Sequence, residues 1–317
     1  MCLAHPVAGG TLSGSVRRLN SAIVIVFLAL SLDVPAPAQE PGNILVVTAN
    51  SGDYMLGAGG TLIRFIQEGY DVYVAQMGND EKITHGLTPA QARLANVEDG
   101  KAAAKLLGVK ATVYMGHKSG EFMYVSPTEM RKQLFGLIRH YRPRKLFIPD
   151  PYVHYLDDSD PYQLGRAAEE SWGYSGGGAF APELERAGLK PYGAPEVYFY
   201  SLQRPYRPGE GGEGNARMMS VDISATIEQK INAIELLRNR NQVYARTVRD
   251  RLAAAGRPTD LLDPFDDGAV RKLVRAYVEQ FGRVVGAKYG YPAGEEFNYV
   301  GRGPELPPHV LQNAVPK

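Results

Sequence analysis

The sequence predicts an α/β protein: a Rossmann-like, mostly parallel sheet flanked by helices. Two observations predict it. Short apolar runs alternate with helix-length segments across residues 44–172, which is the pattern of strand–helix–strand units in a parallel sheet. The first run, residues 44–47, leads through the turn-forming Asn50-Ser51-Gly52-Asp53 to Gly57, Gly59 and Gly60, where a helix begins. A strand, a tight polar loop and a glycine-rich helix start describe a ligand site at the carboxyl edge of such a sheet.

Each element follows in order. Residues 44–47 lack polar alternation, as expected of a strand covered on both faces. A helix over 61–68 stops at Gly69, and a strand over 71–77 ends in Gly78-Asn79-Asp80-Glu81. Thr88-Pro89-Ala90 opens a helix that runs to Gly108. A strand over 111–115 leads into Gly116-His117-Lys118-Ser119-Gly120-Glu121, where His117 reads as a hydrogen-bonding or surface residue. Ser126, Pro127 and Glu129 form a capping box for a helix ending at Arg142-Pro143. After a strand over 145–148 comes a polar loop, then a helix beginning at Leu164.

Farther along, residues 196–201 alternate Val197 and Phe199 with Tyr198 and Tyr200, a strand pattern. A strand over 219–223 and one helix over 224–240 follow. A last helix over 269–289 carries Val270, Leu273, Val274, Tyr277, Val278 and Phe281 at core spacing. Prolines and glycines after 291 read as a tail draped over the body. The expected organisation is a leader over 1–38, an α/β domain over 39–290 and a C-terminal tail over 291–317.

The leader reading rests on an apolar run over 22–32 with Arg17-Arg18 before it and Ala36-Pro37-Ala38 after it. That is the layout of a secretory signal peptide cleaved after about Ala38, and the run is short for a membrane span. A secreted or periplasmic protein with no integral span after cleavage is expected. Cys2, the sole cysteine, lies ahead of that run, so the cleaved chain has no thiols for disulfides or metal. Net charge is +1, and Arg17, Arg18 and Asp33 of the leader account for it. The neutral remainder gives no electrostatic case for nucleic acid.

The glycines around 52–60 fit neither the dinucleotide fingerprint nor a P-loop. The flanks Val46-Val47-Thr48-Ala49 and Leu56-Gly57-Ala58-Gly59-Gly60-Thr61-Leu62, with Leu164-Gly165-Arg166-Ala167-Ala168 later, instead resemble the PIG-L/LmbE family of zinc-dependent de-N-acetylases. The resemblance spans roughly residues 43–245. It implies a pocket for N-acetylglucosamine-type conjugates and hydrolysis of their N-acetyl amide. It also marks departures. Asn50 stands at a zinc-binding His, Gly52 at the Asp general base, Tyr54 at a Glu, and Pro161 at the second metal-binding His. Asp53 keeps its ligand position. Asp158 and Asp160 align with the first His and the Asp of the second motif. On the helix ending at Gly108, Asn96 and Asp99 stand for an Arg–Glu pair; Arg93 and Glu98, one turn away, read as a solvated face.

Zinc hydrolysis needs three protein ligands, an open position and a nearby base. One carboxylate and one amide hold zinc weakly, so zinc is expected to be weakly bound or absent. Three readings stay open. In a pseudoenzyme, an amino-sugar or glycan would be bound by Asn50, Asp53, His154, Asp158 and Asp160 and by the faces of Tyr54, Tyr152, Tyr155 and Tyr162. In a rebuilt hydrolase, Asp53, Asp157, Asp158 and Asp160 would suit calcium, magnesium or manganese, with His154 or Asp158 as base. In an interaction module, the acids are turn residues only. The first two readings require Asp53, Asp158 and Asp160 to converge on one cleft.

Overall fold

The computed structural model describes residues 41–153, 159–202, 204–207 and 217–301. Its elements in order are β1 (Asn43–Thr48), α1 (Asp53–Gln67), β2 (Asp71–Gly78), α2 (Pro89–Leu107), β3 (Ala111–His117), α3 (Pro127–Tyr141), β4 (Lys145–Pro149) and α4 (Ser159–Ser175). Then come α5 (Pro182–Arg186), β5 (Glu196–Tyr200), β6 (Arg217–Asp222), α6 (Ile227–Glu235), α7 (Arg238–Ala254), α8 (Asp267–Tyr289) and β7 (Gly294–Val300).

The sheet is α/β and mostly parallel, with strand order β3-β2-β1-β4-β5-β7-β6. The first five strands in that order pair in parallel, and β7 joins β5 and β6 antiparallel. Strand order reverses between β1 and β4, so the loops after those two strands open on a crevice. The apolar run of β1 is split between the faces. Ile44 and Val46 pack with α1, α6 and α8, while Leu45 and Val47 pack with α3 and α4. β5 does the same: Tyr198 and Tyr200 enter the first core, Val197 and Phe199 the second.

Four local features differ from the sequence reading. α1 starts at Asp53, ahead of its glycines, although interior glycine costs a helix about 1 kcal/mol. Close approach explains them: a Cβ on Gly57 would lie 2.7 Å from the Ser201 carbonyl oxygen, and one on Gly60 2.8 Å from Ile223. α4 starts at Ser159, so Asp160 and Pro161 sit in its first turn rather than in a loop. Ser126 makes no side-chain cap, whereas Thr88 and Gln91 form a reciprocal capping box at α2. The helix expected over 224–240 is two helices, broken at Leu236-Leu237.

The expected tail contains β7, which supplies the partner of both β5 and β6. Its two glutamates are both buried and paired. Glu295 accepts from Lys230 at 2.7 Å, and Glu296 accepts from Lys288 at 2.7 Å and Tyr289 at 2.8 Å. The leader lies outside the described residues, and no described helix is long and apolar enough to cross a membrane.

Candidate functional site

The loop after β1 is rigidly tied. The Thr48 hydroxyl donates to the Asn50 carbonyl at 2.8 Å, and the Ser51 amide donates to Asp80 Oδ2 at 3.0 Å. Asp53 opens α1, where a carboxylate meets the positive end of the helix dipole. One of its oxygens, Oδ2, accepts from the Asn50 backbone and side-chain nitrogens, both at 3.1 Å. The other, Oδ1, accepts from the Arg240 guanidinium at 2.6 Å. The Asp53 side chain is 3% exposed and that of Arg240 23%.

Arg240 reaches this point from the first turn of α7, which is anchored to α2. The Asn239 amide donates to Asp99 Oδ2 at 3.0 Å, and its side-chain nitrogen donates to Asn96 Oδ1 at 2.9 Å and to the Ile83 carbonyl at 2.6 Å. Asn96 in turn donates to the Asp80 carbonyl at 2.9 Å. Arg93 is exposed, and Glu98 pairs with Lys101 on the solvated face.

Asp80, in the loop after β2, is fully buried. Its amide donates to the Ser119 hydroxyl at 2.8 Å, and its Oδ1 has no hydrogen-bond donor. Burial pushes its carboxyl up to about 6, against the opposing pull of the Ser51 hydrogen bonds and Arg240.

Beside these groups opens a cleft of about 790 Å³. Asn50, Asp53, Ser119, Asp160 and Arg240 give it a polar end, and α7 and α8 give it an apolar wall that includes Tyr244 and Tyr277. Asp53 and Asp160 do meet at one cleft. Asp158, His154, Tyr155 and Asp157 lie outside the described residues.

Asp160 lines the cleft and also holds a neighbouring loop. It accepts from the Phe122 amide at 3.1 Å and from the Gly120 amide, pinning the loop after β3 to α4. Tyr54 does not reach the cleft: it is 2% exposed within the core, and burial raises its hydroxyl pKa well above the usual range. Tyr162 lines a separate groove with Tyr152 and Tyr174. Pro161 lines the cleft and offers no donor. His117 hydrogen-bonds Gln133 at 2.7 Å, away from the polar end.

The zinc implied by the resemblance does not fit the residues described here. Among the described residues no group of three or more His, Cys, Asp or Glu side chains is placed to hold an ion. The retained ligand, Asp53, has both oxygens engaged, one of them by a permanent cation.

Residues 45–170 match the family model described as PIG-L: GlcNAc-PI de-N-acetylase. Over that segment the chain resembles the PIG-L/LmbE family. A diacetylchitobiose deacetylase of Thermococcus kodakarensis is 27% identical over 220 residues, covering 69% of this chain and 77% of that protein. Among solved structures, the N,N'-diacetylchitobiose deacetylase of Pyrococcus horikoshii superposes with a TM-score of 0.64 at 22% identity, covering 85% of this chain and 87% of that one. GalB, a 4-carboxy-2-hydroxymuconate hydratase of Pseudomonas putida, superposes with a TM-score of 0.59 at 19% identity, over 84% of this chain and 98% of that one. The PIG-L/LmbE-like fold therefore hosts a hydratase as well as deacetylases, so chemistry has to be read from the cleft.

Arg240 and Asp80 are the site residues that sequence reasoning missed. Arg240 lies 187 positions from Asp53 and beyond the matched segment of the PIG-L-like domain. A signal was present: Arg238 and Arg240 open a helix with no acid in its first turn. That arrangement opposes the helix dipole and calls for an acidic partner elsewhere.

Proposed function

We propose that this protein binds an N-acetylated amino-sugar conjugate in the Asp53–Arg240 cleft and does not hydrolyse it by the zinc route of its family. The observation that carries the reading is the Asn50–Asp53–Arg240 cluster at the polar end of the cleft. Its three side chains supply amide, carboxylate and guanidinium groups suited to hydroxyls and an acetamide. Tyr244 and Tyr277, whose ring centroids lie 5.6 Å from each other, line the same cleft, an aromatic wall of the kind that packs on sugar faces. Gly52 offers no base at the position where the family has one, and the buried Asp80 has no access to the cleft. The rebuilt oxygen-ligand site is disfavoured because Asp160 is committed to two backbone amides.

The leader over 1–38 would deliver this binding protein out of the cytoplasm. Cell fractionation with and without those residues tests that part. Calorimetric titration with N,N'-diacetylchitobiose, run beside an acetate-release assay on the same sugar, tests the rest. Saturable heat without acetate is the expected result. A flat titration rejects the binding reading, and acetate formed in proportion to protein makes the chain a working deacetylase.

A further inference from the structure

We propose that Arg240 is a built-in replacement for the metal ion. Its guanidinium holds Asp53 through the space that Gly52 leaves open, so the cleft keeps its charge balance without a divalent cation. Three observations carry this, and none depends on which sugar, if any, is bound.

The first is the contact itself. Arg240 approaches Asp53 Oδ1 at 2.6 Å, on a carboxylate whose other oxygen is already held by Asn50. A guanidinium stays charged at every accessible pH. A divalent ion placed on the same carboxylate would sit within a few ångströms of that charge, in a poorly solvated place where repulsion is strong.

The second is steric. A Cβ on Gly52 would lie 3.1 Å from both Cδ and Nε of Arg240 and 2.7 Å from Leu237 Cδ1. Any larger side chain at position 52 needs the volume through which Arg240 passes. Position 52 is where the resemblance puts an Asp base. An acid there would therefore push on both Leu237 and Arg240, so the glycine at position 52 favours this path for Arg240.

The third is that Arg240 is delivered rather than merely near. The three bonds of Asn239 to Asp99, Asn96 and Ile83 fix the start of α7 against α2 and the loop that precedes it. Asp53 and the nearby Asp80 offset the cost of a cation at a helix N-terminus.

The test has two arms on the full chain. In the first, protein expressed in zinc-supplemented medium is dialysed and its metal content measured, and its melting temperature is recorded with added zinc chloride and with EDTA. Far less than one zinc per chain, and a melting temperature indifferent to both additions, are expected. One retained zinc per chain, or a drop in EDTA, overturns the proposal.

The second arm is a cycle of Gly52→Ala, Arg240→Ala and the double variant, read by melting temperature. Gly52→Ala is expected to lower it clearly in the wild-type background and by measurably less once Arg240 is gone, the Leu237 contact accounting for the loss that remains. Equal losses in both backgrounds overturn the proposal. If a variant fails to fold, the metal measurements on the wild type decide alone. Failure to bind chitobiose would sink the sugar reading and leave this inference standing, whereas a retained zinc does the reverse.

Discussion

Lys230 and Glu295 form an ion pair sealed inside the protein, with Nζ 2.7 Å from Oε1 and side chains only 2% and 1% exposed. The pair stitches three elements together. Glu295 on β7 also accepts from the Gly60 and Thr61 amides of α1, at 2.9 and 2.7 Å, while Lys230 on α6 donates to the Leu56 carbonyl at 2.7 Å. Breaking one half of such a pair leaves an uncompensated buried charge, worth about 3–5 kcal/mol. Glu295→Met and Lys230→Met should each lower urea stability by about that much. The double variant Lys230→Met/Glu295→Met should lose clearly less than the sum of the single losses. A double loss equal to the sum would show that the two side chains are not coupled.

Asp80 gives a pH prediction whose sign is opposite to that of most carboxylates. Its carboxyl is raised from 3.8 to about 6 because burial penalises the charged form. The folded chain therefore holds that proton where the unfolded chain has released it, and stability falls as pH rises from about 4 to about 6. A rise of that size corresponds to about 3 kcal/mol as an upper bound. Asp80→Asn keeps an oxygen for the Ser51 amide and removes the titration. Its urea midpoint should decline less than that of the wild type between pH 4 and 6.5, and should equal or exceed it at neutral pH. Parallel curves for the two proteins would contradict the burial argument.

The fold was legible because its signals are local. The apolar run of β1, the turn at Asn50-Ser51-Gly52 and the glycines of α1 all act within a few residues of one another. β7 was not, because what makes Glu295 and Glu296 core residues is the lysines Lys230 and Lys288, supplied by other elements. Half of the site was legible for the same reason. Asn50 and Asp53 bond each other three residues apart, whereas Arg240 joins them from across the chain. Tyr54 was misplaced because it directly follows the polar loop of Asn50 to Asp53, although the helix turns that side chain into the core.

Asp160 should prove to be a fastener. It holds the Gly120 and Phe122 amides, and through that loop it fixes Ser119, whose hydroxyl accepts from the Asp80 amide. Asp160→Ala leaves two amides without their acceptor, a loss of about 1–3 kcal/mol. Hydrogen exchange should quicken most at residues 118–122, with little change in β1 or α1. Uniform acceleration across the chain would instead mean that the side chain supports the whole fold.

Thr247 offers a way to close the cleft without disturbing what builds it. It lies on the exposed face of α7 that lines the cavity, one turn from Tyr244. A tryptophan there fills open volume rather than packed core, so stability should hold within about 0.5 kcal/mol, as for most surface substitutions. Thr247→Trp should nonetheless weaken binding of N,N'-diacetylchitobiose by roughly tenfold or more, about 1.4 kcal/mol. Calorimetry on the two proteins checks this, with circular dichroism melts as the control. Unchanged affinity with an unchanged melt would place the sugar elsewhere on the surface, the first alternative being the groove of Tyr152, Tyr162 and Tyr174.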